Sequence, residues 1–174
     1  MLVFSEYQTD TIDLALDFYG YEDCPKNYEF GPSVRDNFVL HFVTKGKGVF
    51  HFNKKEIHLE AGDLFLLPKN KVTYYKADAE EPWSYYWIGI SGTKVSDFMR
   101  FSTLHEKAFL KKTEVETEKI GQFMERLVHK AEASKMTSHY QLHLLSQIYE
   151  LLFLISEVAP DIHRSIHLPP ISSI

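Results

Sequence analysis

At 174 residues, with 44% hydrophobic and 14% aromatic content, the chain is long and apolar enough to bury a core, which argues against intrinsic disorder. A net charge of −5 without any lysine/arginine block argues against direct nucleic-acid binding by this stretch, because phosphate neutralisation needs a basic surface. The lone cysteine, Cys24, allows neither an intrachain disulfide nor a cysteine metal cluster and suits a reducing compartment.

The N-terminal MLVFSEYQTD lacks the charged segment and apolar run of a secretory signal, and no apolar stretch reaches the roughly 18 residues of a membrane span. A cytoplasmic protein with no membrane partner is expected. Residues 1–14 read as an arm without clear periodicity. From there to residue 92 the chain is strand-rich. The runs VLHFV, GVFHF, EIHLE, DLFLLP, KVTYYKA and WSYYWIGI are short, β-branched or aromatic, and bounded by Gly, Asn, Lys and Pro. Such spacing predicts a barrel or sandwich. Gly46 and Gly48 suit a tight hairpin with positive backbone angles, and Asn53-Lys54-Lys55 the next turn. Lys45, Lys47, Lys54 and Lys55 fall around these turns, where edge lysines discourage strand-to-strand aggregation.

Beyond Gly92 the period changes. Residues 94–101 suit a short helix. From Thr117, apolar residues at Ile120, Phe123, Met124, Leu127, Val128 and Ala131 have helical spacing, with Thr117 or a neighbour as cap. A second helix spans about residues 137–158 and stops at Pro160. Its apolar positions cover far more than one stripe. They need both the preceding helix with the barrel and a second subunit, and Leu144, Ile148, Leu151, Leu152 and Ile155 are the candidate dimerisation residues. The tail 161–174, with Pro169-Pro170, reads as a linker. The fold class is therefore mainly β with C-terminal α.

Residues 30–90 resemble a cupin barrel (a double-stranded β-helix or jelly roll). Metal-binding cupins carry four ligands in two motifs. Here the second motif runs from Gly62 to Pro68, but Asn70 replaces its second glycine and Thr73 its histidine. In the first, the expected ligands fall near Ser33, Arg35 and Val39. A divalent metal needs three or four converging N/O ligands, and a cationic arginine would oppose it. No metal, no cofactor and no enzyme activity are expected.

No nucleophile elbow, phosphate loop or dinucleotide fingerprint is present. Cys24 beside Pro25 reads as a packing residue. His139 and His143 lie four apart on a helix but on its polar strip, as a solvated pair. His41, His51 and His58 alternate with apolar neighbours and are expected to point outward. His41 would face the interior if the register were shifted by one residue. Aromatic density remains: Tyr74, Tyr75, Trp83, Tyr85, Tyr86 and Trp87. Strand alternation puts Trp83, Tyr85 and Trp87 on one face, bulky for a sealed core but suited to a pocket wall. Pyranoses stack their C–H faces on such rings while Arg, Glu, Asp or Asn bind their hydroxyls.

The run Gly20-Tyr21-Glu22-Asp23-Cys24-Pro25, then Phe30-Gly31-Pro32, Arg35-Asp36 and Leu40-His41-Phe42-Val43, resembles the N-terminal domain of AraC-type transcriptional regulators. So do Gly46-Lys47-Gly48, Gly62 to Pro68, Tyr75 to Asp78 and Pro82 to Ile88. The resemblance implies an arm over residues 1–14, a ligand-binding barrel over 15–92 and a helical dimerisation region over 93–160. It also implies a linker over 161–174 towards a helix-turn-helix DNA-binding domain outside this chain. It carries over Trp87 as stacking platform, Tyr75 and Tyr85 as wall, Arg35 as hydroxyl donor and Glu22 as a further polar contact. Tyr85 stands where the arabinose sensor has a histidine, so arabinose is not implied. The wider pattern is most similar to multiple-sugar and α-galactoside regulators, which implies an oligosaccharide effector and a homodimer. A sugar-acting cupin enzyme with an unrecognised metal site is the alternative, and a ligand-free dimerisation module the third reading.

Overall fold

The computed structural model describes residues 3–6, 13–133 and 138–163. Its strands are β1 (Val3–Glu6), β2 (Ala15–Asp23), β3 (Glu29–Ser33), β4 (Phe38–Lys45), β5 (Lys47–Phe52), β6 (Lys55–Glu60), β7 (Leu64–Leu67), β8 (Thr73–Ala77), β9 (Ser84–Ser91) and β10 (Phe109–Leu110). They form two antiparallel sheets. The larger runs β1-β2-β9-β4-β7-β10 and the smaller β3-β8-β5-β6. This is the cupin-like barrel expected, followed by helices α1 (Val95–Met99), α2 (Leu104–Lys107), α3 (Thr117–Ala133) and α4 (Ser138–Val158).

The six runs read from sequence coincide with β4 to β9. The sequence reading assigned no run to β2, β3 or β10, nor to α2. β1 extends the edge of the larger sheet through β2, with Val3 opposite Tyr21 and Glu6 opposite Phe18. The remainder of the 1–14 arm, up to residue 12, and residues 164–174 of the linker lie outside the described residues, as does position 137.

The two sheets differ in how they are covered. In the larger, the inner face carries Val39, Val43, Phe65, Leu67, Tyr85 and Trp87, which join the barrel core. The outer face carries Phe38, Leu40, Phe42, Leu64, Leu66, Ile88 and Ile90, which pack with α3 and α4. Both faces are dry, so β4, β7 and β9 read as unbroken apolar runs rather than alternating ones. The smaller sheet has one wet face, and β5, β6 and β8 alternate accordingly. His51 and His58 do point outward, and His58 meets Glu56 at 3.0 Å.

Two local expectations are corrected and one holds. Gly46 has φ +69° as the hairpin requires, but Gly48 does not have a positive φ; its missing side chain makes room for the Trp83 ring, 2.5 Å from where a Cβ would stand. Asn53 and Lys54 supply the two positive-φ residues of the β5–β6 turn. The hydroxyl of Thr117 does not cap α3; it donates to the Gly62 carbonyl at 2.6 Å and ties the helix to the β6–β7 turn.

The helical hairpin brings the largest correction. Leu144, Ile148, Leu151, Leu152 and Ile155 are all buried within one chain, in the core shared by α3, α4 and the outer face of the larger sheet. They are closed to a second subunit. α3 and that sheet supply enough surface to cover this face of α4. The apolar side chains that α4 leaves in solvent are Leu142, Tyr149 and Phe153, beside the polar strip of His139, His143, Ser146, Glu150 and Glu157.

Candidate ligand-binding cavity

A half-open cavity of about 400 Å³ lies inside the barrel, between the inner faces of the two sheets. That volume falls in the range of about 300–1,000 Å³ typical of small-molecule sites. β2 contributes Phe18 and Glu22, β4 Val39 and His41, β7 Leu67, β8 Tyr75, and β9 Tyr85 and Trp87. Tyr28, Phe30 and Arg35 close it from β3 and its flanking loops. A larger groove of about 520 Å³ runs over the outside of β5 and β6, between Lys47, His58, Glu60 and Lys111. Its Lys47, His58 and Glu60 side chains sit in solvent and no phenylalanine, tyrosine or tryptophan lines it, so the barrel interior is the better candidate.

Of the six residues expected from sequence, five meet in this cavity: Glu22, Arg35, Tyr75, Tyr85 and Trp87. The sixth, Trp83, does not line it. Alternation puts Trp83 on the same face as Tyr85 and Trp87, but two residues before Tyr85 and outside the cavity lining. There it is fully buried and stacked on Phe65 with ring centroids 5.3 Å apart. It is a core residue beneath the site.

The polar groups are few. Glu22 accepts a hydrogen bond from the Tyr85 hydroxyl at 3.3 Å. The Arg35 guanidinium lies 4.9 Å from the centroid of Phe30 and 5.6 Å from that of Phe18, a cation–π arrangement that holds it against the wall. Its Nε is buried and has no hydrogen-bond partner among the described residues. Glu22 and Arg35 make no ion pair with each other, so each keeps polar capacity free. Trp87 is fixed edge-on by Phe18, centroids 5.4 Å apart. Burial raises the pKa of the Tyr75 and Tyr85 hydroxyls, with their mutual proximity adding to the effect on Tyr85, so both stay neutral donors and acceptors. Burial also pushes the Cys24 thiol up to about 12, which leaves it unreactive and consistent with packing.

His41 is corrected. It points into the cavity rather than outward, is 3% exposed, and lies flat on Phe65 with centroids 4.3 Å apart and planes 6° from parallel. Phe18, Tyr28 and Phe30 also line the cavity and were not singled out from sequence. His41 was legible in principle: a polar residue inside an unbroken apolar run belongs to a strand covered on both faces and has no wet side to turn to.

The positions where a metal-binding cupin has ligands hold other chemistry. Val39 and Arg35 reach the cavity, while Ser33 and Thr73 are cross-strand partners that do not line it. Among the described residues no three His, Cys, Asp or Glu side chains are grouped to hold a metal ion.

Residues 15–152 match the family described as the AraC-like ligand binding domain. The chain belongs to that family. It is 37% identical over 161 residues to the Msm operon regulatory protein of Streptococcus mutans, a match covering 92% of this chain and 57% of that protein. To the raffinose operon transcriptional regulatory protein of Pediococcus pentosaceus it is 40% identical over 100 residues, 56% of this chain and 36% of that protein. The lactose operon transcription activator of Staphylococcus xylosus is 28% identical over 162 residues, again 92% and 57%. The chain thus spans about half the length of the curated relatives it matches. Among solved structures it is similar to the Escherichia coli protein YhaK, at 12% identity and a TM-score of 0.47 over 55% of this chain and 46% of that one. The family match, over residues 15–152, places the chain among AraC-like ligand binding domains.

Proposed function

We propose that this chain is the sugar-sensing and dimerisation part of a cytoplasmic AraC-type regulator, without enzyme activity of its own. A sugar, and by analogy with the raffinose and lactose operon relatives an oligosaccharide, binds inside the barrel and controls DNA binding by a domain beyond this chain. The observation that carries this reading is the pairing of an aromatic wall (Trp87, Tyr75, Tyr85) with two opposite charges, Glu22 and Arg35, that do not neutralise each other directly. Together they add no net charge and offer an acceptor and a donor across the cavity, which suits an uncharged ligand rich in hydroxyls. Trp87 supplies the ring on which a pyranose face stacks.

The regulator acts as a homodimer in this reading. The surface for it is the exposed stripe of Leu142, Tyr149 and Phe153 on α4, whose spacing of seven and then four residues is that of a coiled-coil seam. Sugar binding changes DNA affinity only in so far as the sugar prefers one of two dimer arrangements.

The test is a thermal-shift screen of the domain against mono- and oligosaccharides at millimolar concentration, with and without EDTA. A ligand at 100 times its Kd adds about 2.7 kcal/mol, a shift of a few degrees at this size. The expected result is a hit that EDTA does not alter and that Trp87→Ala removes. A domain that responds to no sugar but loses stability in EDTA would replace this reading with a metal-dependent cupin enzyme.

A further inference from the structure

We infer that His41 is a ligand-contacting residue that helps set which sugar is accepted, its ring nitrogens serving hydroxyl groups of the bound molecule at the floor of the barrel. The inference rests on the sugar-sensing reading above and deepens it.

His41 stands in the middle of β4, between the cross-strand partners Phe65 of β7 and Trp87 of β9. Its ring is held on several sides: flat against Phe65, edge-on to Tyr85 at 4.9 Å, and tilted against Tyr75 at 5.5 Å. Three ring contacts leave little rotational freedom, so the nitrogens are aimed rather than mobile. Yet Nδ1 is fully buried without a hydrogen bond of good geometry among the described residues, the ring making no more than a loose approach to the Val39 backbone. Buried polar groups are nearly always satisfied, and an orphan calls for an explanation. Packing supplies none, since an apolar side chain of similar volume would fill the same space between Phe65, Tyr75 and Tyr85 at no polar cost. The ring borders the cavity, and a ligand can provide what the fold withholds.

The chemistry of the site gives His41 a role that its neighbours cannot take. Arg35 can only donate and an ionised Glu22 only accept. Burial, reinforced by the Arg35 charge and opposed in part by the Val39 backbone, holds the His41 pKa down at about 3, so the ring is neutral. A neutral imidazole has one donor and one acceptor nitrogen. A sugar hydroxyl, itself both donor and acceptor, is its complement. A site built to bond a hydroxyl rejects analogues lacking it, because its own polar group would then be left unpaired.

The experiment compares the native chain with His41→Leu and His41→Asn. Apo melting temperature is read first, then titration with raffinose, lactose, melibiose, sucrose and galactose. The expected result is an unchanged or higher apo melting temperature in His41→Leu, with affinity for the best sugar lowered at least about tenfold, the order expected for one buried hydrogen bond. His41→Asn, which keeps a polar group on a shorter side chain, should bind with a changed preference order among the five sugars. Affinity within threefold of native in His41→Leu, with the native chain binding normally, overturns the inference and leaves the sugar-sensing reading intact. A lowered apo melting temperature in both variants also overturns it, since the ring would then be structural. Failure of the native chain to bind any of the five removes the reading on which it rests, and the inference with it.

Discussion

The ring of Phe18 lies across the backbone of its cross-strand partner Gly89, so closely that a Cβ at position 89 would stand 2.2 Å from Phe18 Cε2. Gly89 shares the inner face of β9 with Tyr85 and Trp87, and its bare backbone lets Phe18 brace Trp87 and receive the Arg35 guanidinium. Gly89→Ala should push Phe18 into the cavity. A stability loss of about 1–3 kcal/mol, as for overpacking, is expected with a clear fall in sugar affinity. Thermal melts and titration check this; native values for both would show that Phe18 has room to move aside.

The two tryptophans should separate cleanly. Trp83 is sealed beneath Phe65, so Trp83→Ala should cost about 3–5 kcal/mol, as for a large core deletion. Trp87 borders the cavity, and Trp87→Ala should affect binding more than folding. Since the chain has only these two, Trp83→Phe leaves Trp87 as a lone fluorophore. Sugar should then change its emission, whereas Trp87→Phe should be silent. A ligand response from Trp83 alone would reverse the assignment.

Charged substitutions at Leu151 or Ile155 should unfold the domain rather than release monomers. Even truncation to Ala in such a core costs about 2–5 kcal/mol. By contrast, Leu142→Glu with Phe153→Glu should leave the melting temperature near native while shifting sedimentation to monomer. If the double variant sediments as a dimer, the interface is not this stripe of α4.

Stability should depend on pH through His41. Its folded pKa, about 3, lies below the unfolded value of about 6.5. Between these, the unfolded chain holds a proton that the folded chain does not. Above pH 6.5 the ring is neutral in both states and contributes no pH dependence, and stability falls as pH drops from there towards 3, by up to about 1.4 kcal/mol per pH unit. Arg35 on the β3–β4 loop, Glu22 on β2, Tyr28 before β3, Tyr75 on β8 and Tyr85 on β9 are the other titratable or charged groups around the same cavity. Subtracting the His41→Leu profile from the native one isolates the histidine. Parallel profiles in denaturant melts between pH 7 and pH 4 would mean that the ring already has access to water.

Much of the barrel was legible because its smaller sheet alternates and its turns carry Gly46, Asn53 and Lys54 where positive φ is needed. β2 and β3 were not, because Gly20 and the Gly31-Pro32 pair interrupt their patterns. Five cavity residues could be carried over from motif positions. Phe18, Phe30 and Tyr28 could not, since nothing in a lone aromatic residue says which wall it joins.

What the sequence by itself determined is local: strand periodicity, hairpin turns, the helical spacing from Thr117, the stop at Pro160 and the exclusion of cupin metal ligands at Ser33, Arg35, Val39 and Thr73. These depend on neighbours a few residues apart and on side-chain chemistry. Only the tertiary structure decided what each apolar face meets. It turned His41 inward, placed Trp83 beneath the cavity rather than in its wall, and used Leu144, Ile148, Leu151, Leu152 and Ile155 for one chain's own core. The physical reason is that burial is non-directional: an apolar side chain records that it must be covered and not by what. The partner is chosen by sheet pairing and helix packing among residues far apart in the chain.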